Sequence, residues 1–226
     1  DLEDGTYINL YSEFMKGKDF EDYLKSGNSL NDDFWRNVLF QIIYTLACFQ
    51  LLGLKHNDLN TPNVFLIPME GEIKYIVNNK YFVVDVGKPG LIKLFDMDMA
   101  SVFCDKKNNI IENFINDNKG NCSNNRLDVI LEEFKFNNAD NLYDLYLFTC
   151  FSKSYNENIF KKGGKTDKFL NKLFNFKEEE DCRLMKNNNK KFYSNYLDIL
   201  DDEYFSPLAN KKTDTKIECS LNNIKI

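Results

Sequence analysis

The stretch that decides the fold begins with Leu54-Lys55-His56-Asn57-Asp58-Leu59-Asn60-Thr61-Pro62-Asn63-Val64 and closes with Ile92-Lys93-Leu94-Phe95-Asp96-Met97-Asp98. The first piece reads as a polar loop, ended by Pro62, that enters a short apolar strand from Val64 to Ile67. Leu91 to Phe95 is a second short apolar run, flanked by Gly87, Pro89 and Gly90 and closed by Asp96. If the two runs pair antiparallel, the start of one lies beside the end of the other, so Asn63 and Asp96 meet at one edge of a ribbon.

That edge has the chemistry of a magnesium site, because a hard divalent cation takes oxygen ligands from one or two carboxylates, an amide carbonyl and substrate phosphates. Asn63 and Asp96 are the predicted ligands. Asp58, in the loop, then faces the phosphate and stands where a base belongs. Phosphoryl transfer asks little covalent work of a protein, so positioning and charge neutralisation carry the rate.

His56-Asn57-Asp58-x-x-x-x-Asn63 resembles the catalytic loop of protein kinases, and Asp96-Met97-Asp98 resembles a variant of their metal-binding D-F-G motif. The segment from Tyr75 to Gly87, followed by Leu91 to Ser101, resembles more narrowly the hairpin insertion and metal-binding segment of haspin-like kinases and of the serine/threonine kinases of poxviruses and other large DNA viruses. The resemblance implies an α+β, predominantly helical fold, a protein kinase-like C-lobe with a catalytic β-ribbon and hairpin insertion and with the N-lobe largely missing. It implies ATP and Mg²⁺ as cofactors, Asp58 as the catalytic group, Asp98 as assisting a second metal ion, and a hinge at about residues 7–18 whose Glu13 and Met15 lie against the adenine. It further implies structural support from His56 and from Asp144, which would accept hydrogen bonds from the catalytic-loop backbone.

The chain departs from the pattern in places. Asn57 stands where many kinases carry Arg, and Asn60-Thr61 replace the usual Lys-Pro, so the loop lacks a cation for the transferred phosphate. Before Tyr7 there is no room for the Gly-rich loop, strand Lys and helix Glu of a small lobe. The expectation is therefore a catalytic lobe at residues 1–205 with a polar, unstructured tail at 206–226. It would be a fragment of a longer serine/threonine protein kinase whose N-lobe lies upstream, inactive in isolation. A pseudokinase scaffold and a small-molecule phosphotransferase of the aminoglycoside or choline kinase kind are the alternatives.

Working outward, Asn31 or Asp32 caps a long helix with Phe34, Val38, Ile42, Leu46 and Phe49 at helical spacing and Trp35 and Tyr44 on its flanks, ended by Gly53. Asn78-Asn79 is a tight-turn signal between Ile73–Val77 and Lys80–Val86, predicting a hairpin that prolongs the ribbon. Asp19 to Lys25, Asn141 to Phe151, Asp167 to Phe176 and Phe192 to Leu200 read as further helices. Residues 103–138 are polar and Asn-rich and contain no A-P-E motif.

Composition sets the outer bounds. The chain has 226 residues, 43% of them hydrophobic, with 20 Phe and 12 Tyr, which argues for a packed globule. A formal charge of −6 gives no basis for nucleic-acid binding and would favour a basic protein substrate. The 6 cysteines are widely spaced and a single histidine cannot complete a Cys/His zinc cluster, so a reducing compartment is expected. With no apolar run of membrane-spanning length and no signal peptide, the sequence predicts an intracellular, cytoplasmic protein without a membrane partner.

Overall fold

The computed structural model describes residues 16–26, 30–87, 89–102, 142–155, 159–174, 193 and 195–221. Within them the chain is mixed helix and sheet, built around one helix. A two-residue strand β1 (Lys18–Asp19) leads into α1 (Phe20–Lys25), whose N-cap Asp19 accepts a hydrogen bond from Asp22 N at 2.7 Å. The central helix α2 (Asp32–Leu51) is capped by Asn31, whose side chain accepts from Phe34 N at 2.8 Å, and Gly53 just beyond its end takes φ 68°. These are the start and stop devices the sequence displays.

Trp35 and Tyr44, expected on the flanks of α2, are buried along with Leu39, Phe40 and Ile43, so the helix is covered nearly all round. The reason is aromatic packing from two sides. Phe20, Phe34 and Phe160 surround Trp35, whose indole N–H donates to Ile159 O at 3.1 Å. Phe40 meets Tyr75, Phe82 and Phe205 at ring separations of 5.4, 5.0 and 5.4 Å. Each such pair adds roughly 0.5–1.5 kcal/mol beyond simple burial.

After β2 (Leu54–Lys55) and a 3-10 turn at Thr61–Asn63 come β3 (Val64–Ile67), β4 (Glu72–Val77), β5 (Lys80–Asp85), β6 (Leu91–Leu94) and β7 (Ser101–Val102). β3 and β6 pair antiparallel, with Val64 opposite Leu94 and Ile67 opposite Leu91, and β1 adds to the other edge of β3. Two contacts fix where β6 begins. Gln41, buried on α2, accepts from Ile92 N at 3.0 Å and donates to Gly90 O at 3.2 Å. Gly90 adopts φ 90° and lies so close to β3 that a Cβ there would come within 2.7 Å of Ile67 O.

The hairpin forms through Asn78 and Asn79, both left-handed at φ 48° and 62°, with Val77 opposite Lys80. It does not prolong the β3–β6 ribbon as expected. Pro68 ends β3 because it has no N–H to donate, and β4 and β5 instead build a separate sheet with a late strand β8 (Glu218–Ser220), in the order β5-β4-β8.

β8 (Glu218–Ser220) corrects a second expectation, that of an unstructured tail. Beyond the helices α3 (Tyr143–Tyr155), α4 (Lys165–Leu173) and α5 (Tyr196–Leu200), a 3-10 helix at Glu203–Leu208 buries Tyr204, Phe205 and Leu208. The chain then crosses the hairpin, lays β8 parallel to β4 and buries Leu221. Two threonines guide it: Thr213 donates to the Glu72 carboxylate at 2.7 Å and Thr215 to Glu72 O at 2.8 Å. Part of the polar composition that suggested a loose tail is these hydroxyls and the Glu218 carboxylate, which pairs with Lys74 at 2.6 Å. The late helix is shorter than read, starting at Tyr196 behind its cap Asn195, and Phe192 lies outside the described residues.

Candidate functional site

The loop between β2 and β3 hangs on a carboxylate from another element. Asp144, in the first turn of α3 and only 5% exposed, accepts His56 N at 3.0 Å and Asn57 N at 2.8 Å. Burial pushes this carboxyl upward, opposed by the attraction of His56 and the two backbone donors. An unpaired carboxylate at this depth would cost several kcal/mol, so the loop and the helix satisfy each other. Asn57 is thereby held at φ 65°, a conformation uncommon outside glycine.

His56, fully buried, joins this loop to the end of β6. Its Nε2 lies 2.9 Å from Phe95 O and its Nδ1 accepts from Asp58 N at 3.4 Å, which fits the tautomer with hydrogen on Nε2. Phe95 N in turn donates to Asn63 O at 3.1 Å, continuing the β3–β6 ladder by one pair and setting Asn63 beside the residue that precedes Asp96. Asp96 itself turns out of the strand at φ 62°.

Around this corner the predicted residues converge. The Asn63 amide nitrogen donates to Asp58 O at 2.8 Å and lies 3.4 Å from Asp58 Oδ2, and the Asn60 amide nitrogen lies 3.3 Å from Asp58 Oδ1. The hydrogen bond from Asp98, partial desolvation and the charges of Asp98 and Asp58 together lift the Asp96 carboxyl above its ordinary range. That upward shift reports acidic groups crowded into one place. Asn57 completes the frame by donating from its side chain to Met99 O at 2.9 Å, while β2 pairs with β7 through Leu54–Val102 and Lys55–Ser101.

Asp58, Asn63, Asp96, Asp98, His56 and Asp144 thus share one locality, whereas Glu13 and Met15 lie outside the described residues. Among the described residues no three His, Cys, Asp or Glu side chains form a ready-made metal cluster, so a cation here would need the Asn63 carbonyl and groups from a substrate. With its nitrogen engaged by Asp58, the Asn63 amide has its oxygen left for that purpose. The mutual repulsion of the Asp96 and Asp98 carboxylates would be relieved by a divalent ion.

Sequence reasoning missed three contributors. Gln41 was hidden in a run of apolar helix residues. Asn60 was read only as a missing lysine. Phe65 and Phe95 form a half-buried edge-to-face pair at 5.0 Å, one residue on from Val64 and one before Asp96. Their adjacency depends on strand register, which no local pattern states. A cleft of about 400 Å³ between the start of α2 and the Lys161–Lys165 turn is lined by none of these residues, and within it Asp32 is already engaged in capping α4 through Lys165 N and Thr166 N at 3.1 and 2.9 Å.

Comparison with known proteins finds similarity to viral proteins named as kinases, which supports a kinase-like protein. The chain is 30% identical over 187 residues, 80% of its length, to a protein named "Probable kinase" from invertebrate iridescent virus 3. It is 28% identical over 106 residues, 41% of its length, to one named "Putative serine/threonine-protein kinase" from Acanthamoeba polyphaga mimivirus. The matches span 31% and 22% of those relatives' own lengths. No family model and no solved structure matches the chain. Among the described residues no helix is long and apolar enough to cross a membrane.

Proposed function

We propose that this chain is the catalytic-lobe portion of an ATP- and Mg²⁺-dependent serine/threonine protein kinase of haspin-like or large-virus type, acting on a basic protein. The observation that carries the reading is the convergence of Asp58, Asn63 and Asp96 at one end of the β3–β6 ribbon, with His56 and Asp144 holding the loop from behind.

In this reading Asp58 orients the substrate hydroxyl and takes its proton as the oxygen bonds to the γ-phosphorus and the bond from that phosphorus to ADP breaks. Asn63 and Asp96 hold Mg²⁺, which neutralises phosphate charge when bound. The Phe65–Phe95 pair offers an apolar ledge next to those ligands on which a base can rest. The absence of a lysine at Asn60 favours a second reading, a scaffold that retains the lobe without turnover; stabilisation by millimolar Mg·ATP in a thermal-shift assay separates nucleotide binding from its loss.

The test uses the full-length protein, labelled ATP and a basic protein substrate. Asp58→Asn should lower turnover by about 10²–10⁴-fold, the usual span for a positioned base, and Asp96→Asn should abolish Mg²⁺-dependent transfer, with the melting temperature little changed. Equal transfer by wild type and both variants would overturn the proposal.

A further inference from the structure

Asn60 uses both ends of its side chain. Its Oδ1 accepts from Asn63 N at 3.2 Å, capping the 3-10 turn that presents Asn63, while its Nδ2 reaches back to Asp58 Oδ1 at 3.3 Å. The backbone repeats the connection, with Asn60 N donating to Asp58 O at 2.8 Å and Asn63 N approaching Asn60 O at 3.2 Å. The two carboxylate oxygens of Asp58 therefore each face an amide, Oδ1 that of Asn60 and Oδ2 that of Asn63.

From this we infer that Asn60 is a positioning residue that fixes Asp58 relative to Asn63, so that the loop contributes geometry where a lysine would contribute charge. A lysine ammonium donates but cannot accept, so it could not cap the turn. An asparagine does both, but brings no charge of its own to the phosphate. The inference rests on the proposed function for its catalytic meaning, while the link between Asp58, Asn60 and Asn63 is a physical claim that stands or falls without it.

Two substitutions in the full-length protein separate the ends of the side chain. Asn60→Asp keeps an acceptor for Asn63 N and removes the donor to Asp58; Asn60→Ala removes both. Both should reduce kcat by about tenfold or more while KM for Mg·ATP moves less than threefold, because a misplaced base slows chemistry without weakening nucleotide binding. Only Asn60→Ala should speed hydrogen exchange at the Asn63 amide, by about fivefold for the loss of a typical cap. A wild-type kcat in Asn60→Asp would overturn the positioning role.

A protein that transfers no phosphate even in wild-type form would sink the proposed function instead, and two spectroscopic outcomes then judge Asn60. The Asn60 side-chain N–H resonances should move in Asp58→Ala, and the Asn63 amide should lose protection in Asn60→Ala. Failure of either would overturn the link.

Discussion

The loop–ribbon corner and the hairpin–tail sheet both contain non-glycine residues in the left-handed conformation, but the two regions hold them for different reasons. Asn78 and Asn79 sit where a two-residue hairpin turn requires positive φ, and the strands on either side repay it in register. Asn57 and Asp96, at φ 65° and 62°, are held by partners far away in sequence: Asp144 through two backbone hydrogen bonds, and His56 through Phe95 O. Strain persists where the surroundings over-determine it, as they do at the corner that carries the acidic and amide groups. One region is locally consistent and structural, whereas the other is maintained by its neighbours for chemistry.

The sharpest way to break this contrast is Asp144→Ala. It strands the buried His56 N–H and the part-buried Asn57 N–H, and hydrogen bonds to charged groups contribute about 1.5–3 kcal/mol each. Unfolding in urea should show a loss of about 3 kcal/mol, accompanied by a fall in phosphoryl transfer beyond what stability explains. In the other region, Leu221→Ala should cost about 2 kcal/mol, the low end for a buried leucine, yet leave Mg·ATP binding intact. If truncating the tail contact abolishes nucleotide binding, the two regions are not separable as described.

The turn itself supplies a finer probe. Asn79→Gly should stabilise slightly and Asn79→Val should destabilise by about 1–2 kcal/mol, the penalty of a left-handed residue without asparagine's tolerance, both read from melting temperature with turnover unchanged.

The smallest expected effect is in acid. Burial raises the Asp202 carboxyl, but Lys172, Tyr193 and Tyr204 N outweigh it and hold the group below its ordinary value. A depressed folded-state pKa means the contribution is complete above the unfolded value of about 4 and fades as pH falls through the folded value. Melting temperature should therefore decline below that point in wild type and decline less in Asp202→Asn, with turnover at neutral pH little changed in the variant.

Much of the local architecture was legible because it is written in short-range rules. Asn31 and Gly53 bound α2, Asn78-Asn79 makes the hairpin, and the paired runs Val64–Ile67 and Leu91–Leu94 bring Asn63 and Asp96 to one edge. Asp144 could be singled out because a carboxylate in an apolar helical run needs donors from somewhere. The separate sheet was not legible, since nothing in the Ile73–Val77 pattern says which edge it will join. The ordered tail was hidden for a related reason: Thr213 and Thr215 look solvent-bound until Glu72 is opposite them.

The sequence by itself determined the central helix, the hairpin turn, the two paired runs and the identity of the oxygen-bearing groups, because caps, turns and periodicity act over a few residues. The tertiary structure decided which of those groups face one another. It placed β8 beside β4, put Gln41 against Gly90 and Ile92, and turned Asn60 from an absent lysine into a bridge between Asp58 and Asn63. Such contacts join residues distant in the chain or depend on the direction of a single side chain, and only packing fixes either.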